Sequence, residues 1–173
     1  MKPTSPPPAF TLSFLDPDTR PAFVALLADR LAQQVTEDSA QHLARLGFRT
    51  PAICVSAVMY LHRHGPSSLT ELAQAYGQQH QLVTLRIAAL EEQGLAIRQP
   101  DPKDSRRRLI LLTPDGQAEA ERLSTHLALM TRALDGLAAQ LGADLPALLQ
   151  SAIDHLYRDP LSRRIDALNA ETP

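Results

Sequence analysis

A mainly helical chain with one short β-hairpin is predicted by three features of the sequence. Apolar residues recur three and four apart over most of its length, and paired start and stop signals divide that pattern into separate helices. In the middle, two runs of extended-chain formers flank a cluster of turn formers. The 173 residues are 44% apolar and 21% charged, the composition of a globular protein able to bury a core. No apolar run approaches the eighteen or so residues needed to span a bilayer, so no membrane partner is expected.

The opening MKPTSPPPAFTLSFL is broken by Pro3, Pro6, Pro7 and Pro8, which does not suit the continuous apolar segment of a secretory signal. Residues 1–20 are read as a Pro-rich flexible arm on a cytoplasmic protein. After Pro21, Phe23, Leu27, Leu31, Val35, Leu43 and Leu46 fall mostly four or three apart, which predicts a long amphipathic helix over 21–46. Thr50 and Pro51 form a helix start, and Gly65 with Pro66 a stop, so a second helix is expected near 51–64. Ser68 and Glu71 have the spacing of a capping box at the head of LTELAQAY, which Gly77 ends. A short turn leads to HQLVTLRIAALEEQG, which places Val83, Ile87 and Leu90 on one face before Gly94.

LAIRQ and RRLILL flank a Pro-Asp-Pro-Lys-Asp-Ser tip and read as the hairpin, with its polar tip projecting. Thr113 and Pro114 repeat the cap-then-proline start. Behind them Ala120, Leu123, Leu127, Met130, Leu134, Leu137 and Leu141 alternate spacings of three and four, a heptad seam. Gly142 closes that helix. Asp144 and Pro146 open another with Leu149, Ile153 and Leu156 expected inward, and Asp159 with Pro160 restarts the chain into SRRIDALNA.

A short helix pair followed by a hairpin is the element order of a winged helix-turn-helix, in which the second helix enters the major groove of DNA. The hairpin tip then reaches the neighbouring backbone or minor groove. A net charge of −2 does not advertise such a partner, but charge need only be local. Residues 86–108 carry six basic side chains (Arg86, Arg98, Lys103, Arg106, Arg107, Arg108) against four acidic ones, whereas the whole chain has 17 against 19. Arginine suits a narrow, electronegative minor groove better than lysine, because it is more weakly hydrated and offers a planar fork.

Asp104, Ser105, Arg106, five residues, Leu112, Thr113, two residues and Gly116 match DxRxxxxxLTxxG, and the segment resembles the wing of the MarR family of bacterial transcriptional regulators. LTELA and LEEQGLAIR are similar to that family's helix-turn-helix segments. The resemblance covers about residues 40–125 and implies a homodimer that represses genes from a near-palindromic operator on double-stranded DNA, released by a small-molecule effector. It implies a dimerisation helix at 21–46, a DNA-binding module at 47–112 and dimerisation helices at 113–170. Arg106 is the residue it assigns to wing insertion, with Asp104 orienting it. Strand alternation sends Arg107 and Arg108 to opposite faces, one toward phosphate, with Lys103 at the tip. The seam Leu123, Leu127, Met130, Leu134, Leu137 and Leu141 agrees with a dimer independently. A winged module alone is too small to bury it, although a hairpin with the last helices of the same chain would also cover it.

The recognition helix departs from the family pattern. With Val83, Ile87 and Leu90 inward, Gln81, Leu85, Ala88 and Glu92 face outward, with Thr84 and Leu82 at the sides. Leu85 stands where family members commonly carry a basic residue, and Arg86 comes one position later. Base readout would rest on Gln81 and Thr84, with Gln78, Gln79 and His80 from the turn. Sparse base readout supported by wing and phosphate contacts is one explanation, and leucines hidden by the Pro-rich arm in the free protein is another. The same leucines leave open a winged-helix dimer that binds a protein partner rather than specific DNA.

Cys54, the single cysteine, falls with Val58 and Leu61 on the core face of its helix, so a buried, inert thiol is expected rather than a redox sensor. The six histidines show no metal-ligand spacing; His42, His126 and His155 sit on helices that could converge at a dimer interface, but solvated or structural roles are the expectation, and no metal or other cofactor is expected. No nucleophile elbow, phosphate loop or paired-carboxylate motif is present, so the chain is not expected to be an enzyme. An effector crevice is implied by the resemblance alone, with Met59, Tyr60 and His62 as lining residues that core packing would explain equally.

Overall fold

The computed structural model describes residues 16–171. The first fifteen residues of the expected arm lie outside that range. A 3₁₀ turn at Arg20–Phe23 leads into α1, Val24–Arg45, and a second at Ala52–Cys54 opens α2, Val55–His64. Then come α3, Leu69–Tyr76, and α4, His80–Glu92. The antiparallel strands β1, Ala96–Asp101, and β2, Asp104–Leu112, follow, and then α5, Pro114–Leu141, α6, Leu145–Arg158, and α7, Leu161–Glu171. The chain is thus mainly helical with a hairpin wing, as its periodicities predict. It divides into two compact units between Ala120 and Glu121, with α5 passing from one to the other.

The first unit has its own core. Val58 from α2, Leu72 from α3, Val83, Ile87 and Leu90 from α4, and Leu95 and Ile110 around the hairpin are fully buried. Each such side chain contributes roughly 1.5–3 kcal/mol by leaving water. The hairpin is fastened to this core by a backbone exchange outside its own ladder. Ser67 N donates to the Ile110 carbonyl at 3.0 Å, and Ile110 N donates back to Ser67 at 2.8 Å.

The second unit is different. Along the α5 seam Leu123 is buried and Leu127, Met130 and Leu137 are half-buried, while Leu134 and Leu141 are exposed. Neither α6 nor α7 buries a residue. Leu149, Ile153 and Leu156, expected inward, are exposed instead, Ile153 at 48%. Periodicity identifies an apolar face but not the surface that covers it, and within one chain nothing described covers this one.

Candidate nucleic-acid interface

The helix-turn-helix is set by local chemistry. Ser68 Oγ accepts from Glu71 N at 3.3 Å, and the Glu71 carboxylate accepts from Ser68 N at 2.7 Å and from the Ser68 hydroxyl at 2.8 Å. That capping box satisfies donors which the first turn of α3 leaves orphaned. Gly77, with φ 58° and ψ 32°, ends α3 in the left-handed conformation that a Cβ disfavours. Tyr76 joins α3 to α2 by donating its hydroxyl to the Ser56 carbonyl at 3.0 Å, and burial pushes its pKa up to about 12.

On α4 the inward residues Val83, Ile87 and Leu90 are sealed, which turns Leu85 outward at 63% exposure and Leu82 at 49%. The polar residues expected to read bases divide. Gln79, at the N-cap, and Gln81 are exposed. Thr84 donates its hydroxyl to the His80 carbonyl at 2.8 Å. Arg86 is half-buried, and its carbonyl accepts from the Cys54 thiol at 3.5 Å. Gln78 is also half-buried, and its buried Oε1 has no hydrogen-bond partner among the described residues. Cys54 itself is fully buried, and burial pushes its thiol pKa up.

The wing strands run further toward the tip than the turn-forming residues suggest, leaving only Pro102 and Lys103 between them. Two aspartates close it: Lys103 N donates to Asp101 Oδ1 at 2.8 Å, and Arg106 N donates to Asp104 Oδ1 at 3.0 Å. Asp104 thus meets Arg106 through its backbone N–H. Strand register holds from Ala96↔Leu112 to Pro100↔Arg108 and then shifts to Asp101↔Asp104. Residues 105–107 form a bulge there, and the regular ladder is interrupted.

The bulge separates the two arginines within it. Arg107 Nη2 lies 2.6 Å from Glu71 Oε1 and donates to Ser68 Oγ at 3.1 Å, while its Nη1 is 3.9 Å from Asp101. The wing is thereby tied to the cap of α3. The Ser68 backbone N–H, then Arg107 and the Ser68 hydroxyl, hold the Glu71 carboxyl at about 2. Arg106 is exposed, and no hydrogen bond or ion pair holds its guanidinium among the described residues. Arg108 and Lys103 are exposed as well, and Arg98 pairs with Glu91 of α4 at 3.2 Å. The arrangement is a docked wing with three outward cations next to an exposed helix face.

The Leu-Thr-x-x-Gly of the wing signature has a steric explanation. Thr113 Oγ1 accepts from Gly116 N at 3.0 Å and its hydroxyl donates to the Gly94 carbonyl at 2.7 Å, so it caps α5 and holds the α4–β1 turn. A Cβ at Gly116 would lie 1.9 Å from the Leu95 carbonyl oxygen, so only glycine fits. One anchor escaped sequence reading. Buried Glu119 accepts from Arg49 N at 2.7 Å, from Thr50 N at 3.0 Å and from the Thr50 hydroxyl, and Arg49 also meets Asp115 at 3.0 Å. Of the expected crevice residues, His62 accepts from Gln117 Nε2 at 2.8 Å with Nδ1, and the Tyr60 ring meets His64 and Tyr76. Among the described residues no group of three or more His, Cys, Asp or Glu side chains is placed to hold a metal.

The MarR family profile matches residues 49–107, which take in α2, the helix pair α3 and α4, and the wing as far as Arg107. Over these residues the winged module is similar to the MarR family. Likeness to solved MarR-type structures extends past that module. A probable transcriptional regulator from Pseudomonas aeruginosa is 27% identical, over 70% of this chain and 93% of its own, with a TM-score of 0.56. CouR, a transcriptional repressor bound to a 23-mer DNA duplex, is 25% identical over 83% and 98%, at 0.60. MepR from S. aureus, in a complex with DNA, is 21% identical over 75% and 97%, also at 0.60, and shares the fold. No curated protein is significantly similar in sequence.

Proposed function

We propose that the chain is a DNA-binding transcriptional regulator, a cytoplasmic bacterial homodimer that represses from a near-palindromic operator until a small-molecule effector releases it. The observation that carries this reading is the wing. Arg107 locks it to the cap of α3 and leaves Arg106 exposed and unengaged among the described residues, beside the outward face of α4. A docked hairpin spares the backbone entropy that a free loop would lose on insertion, and a weakly hydrated guanidinium suits a narrow groove. The MarR-type module and the likeness to CouR, which was solved on a DNA duplex, support the same partner. No helix described is long and apolar enough to cross a membrane.

Homodimer formation is supported by the uncovered apolar faces of α5, α6 and α7. Two copies related by a two-fold axis would present two α4 helices to half-sites about one helical turn apart, or 10–10.5 base pairs. Selection of bound duplexes from a random pool tests the reading. A palindromic site of that spacing should be enriched, and its affinity should fall steeply with salt as phosphate counterions are released. Arg106→Ala should weaken binding to that site by about 1–3 kcal/mol. Failure to enrich any site would favour a protein partner instead.

A further inference from the structure

The outward face of α4 is short of hydrogen-bonding groups. Thr84 donates its hydroxyl proton to the His80 carbonyl, Arg86 is half-buried, and Gln81 is an exposed amide beside two exposed leucines. Leu85 stands opposite the sealed face of Val83, Ile87 and Leu90, so on a docked module it points farthest into a groove. The major-groove edge of DNA is polar except for one group, the 5-methyl of thymine. A leucine pressed on any other part of that edge strips water from donors and acceptors without replacing their hydrogen bonds.

Resting on the reading of the chain as a DNA-binding regulator, we propose that Leu85, with Leu82 beside it, recognises thymine 5-methyl groups in the major groove. Part of the operator's sequence is then selected by apolar contact. A protein docking on this face is the weaker fit. Two leucines beside Gln81 fall far short of the roughly 800 Å² per partner of a stable protein interface, and the wing of the same module presents Lys103, Arg106 and Arg108.

Deoxyuridine supplies a test, because it removes the methyl and keeps the base pairing and the O4 acceptor. The full chain is first used to select a site from a random duplex pool. That site is then rebuilt with deoxyuridine in place of thymidine, one position at a time and in both half-sites. At one or two thymines per half-site, affinity should fall about fourfold for each methyl lost, equivalent to about 0.8 kcal/mol. Leu85→Ala or Leu82→Ala should bind the thymine and uracil forms of the sensitive position alike. Both side chains are exposed, so these variants should keep the parent's melting temperature. The proposal is overturned if every uracil substitution is neutral in the parent, or if the discrimination survives in both single variants and in the double one. If no duplex is enriched at all, the DNA-binding reading fails and this inference with it, a result distinct from an enriched site that ignores the methyl.

Discussion

The winged module and the helices beyond Glu121 use the same periodic apolar pattern and reach opposite results. In the module Leu72, Val83, Ile87, Leu90, Leu95 and Ile110 are sealed inside one chain. In α6 and α7 nothing is buried, and Leu149, Ile153, Leu156, Ile165 and Leu168 remain exposed. The module's core is closed by its own residues, whereas the C-terminal helices carry an apolar face that no described residue covers. The proposed second subunit would supply a cover, and exposed apolar faces of this extent are uncommon on proteins that act as monomers.

A matched pair of substitutions tests that contrast most strongly. Ile87→Ala opens a cavity in a sealed core and should cost about 2–5 kcal/mol in chemical unfolding, leaving the dimer mass in sedimentation unchanged under native conditions. Ile153→Asp places a charge on the uncovered face of α6 and should convert the sedimenting species to monomer. A dimer that persists in Ile153→Asp would show that this face is not the one the partner covers.

A smaller effect is expected where the module holds α5. Glu119→Ala removes the acceptor shared by Arg49 N, Thr50 N and the Thr50 hydroxyl and should destabilise the fold by about 1–3 kcal/mol. Thermal unfolding checks it, and a neutral result would mean that water replaces the carboxylate. This anchor also marks where reading the sequence stops. The Ser68/Glu71 capping box, the Thr113 start and the inward face of α4 were legible because each is decided within a few residues. Glu119 and Thr50 are 69 residues apart, and nothing local signals that the carboxylate is buried. The apolar faces of α6 were legible too, but not the identity of their cover. At the candidate site DxR singled out Arg106, but no local signal indicates that Arg107 pairs with Glu71, which lies 36 residues earlier on another element.

Arg107 and Glu71 give the smallest expected effect and the most specific one, since they join the wing to α3 across a half-exposed pair. The Glu71 carboxyl titrates near 2 in the folded chain, with the Ser68 backbone N–H as the largest cause and Arg107 next, against about 4.3 for an unstructured glutamate. Its contribution to stability is therefore complete above the unfolded value and fades as pH falls from there toward 2. Because both side chains are nearly half-exposed, water screens the pair, and the loss should be small. Carboxyl chemical shifts of Glu71 followed by NMR through acid should show a midpoint near 2 in the parent. In Arg107→Ala the midpoint should rise but stay below the unstructured value, because the Ser68 N–H remains. An unchanged midpoint would mean that Arg107 does not hold the wing to the cap, and the separation of roles between Arg106 and Arg107 would collapse with it.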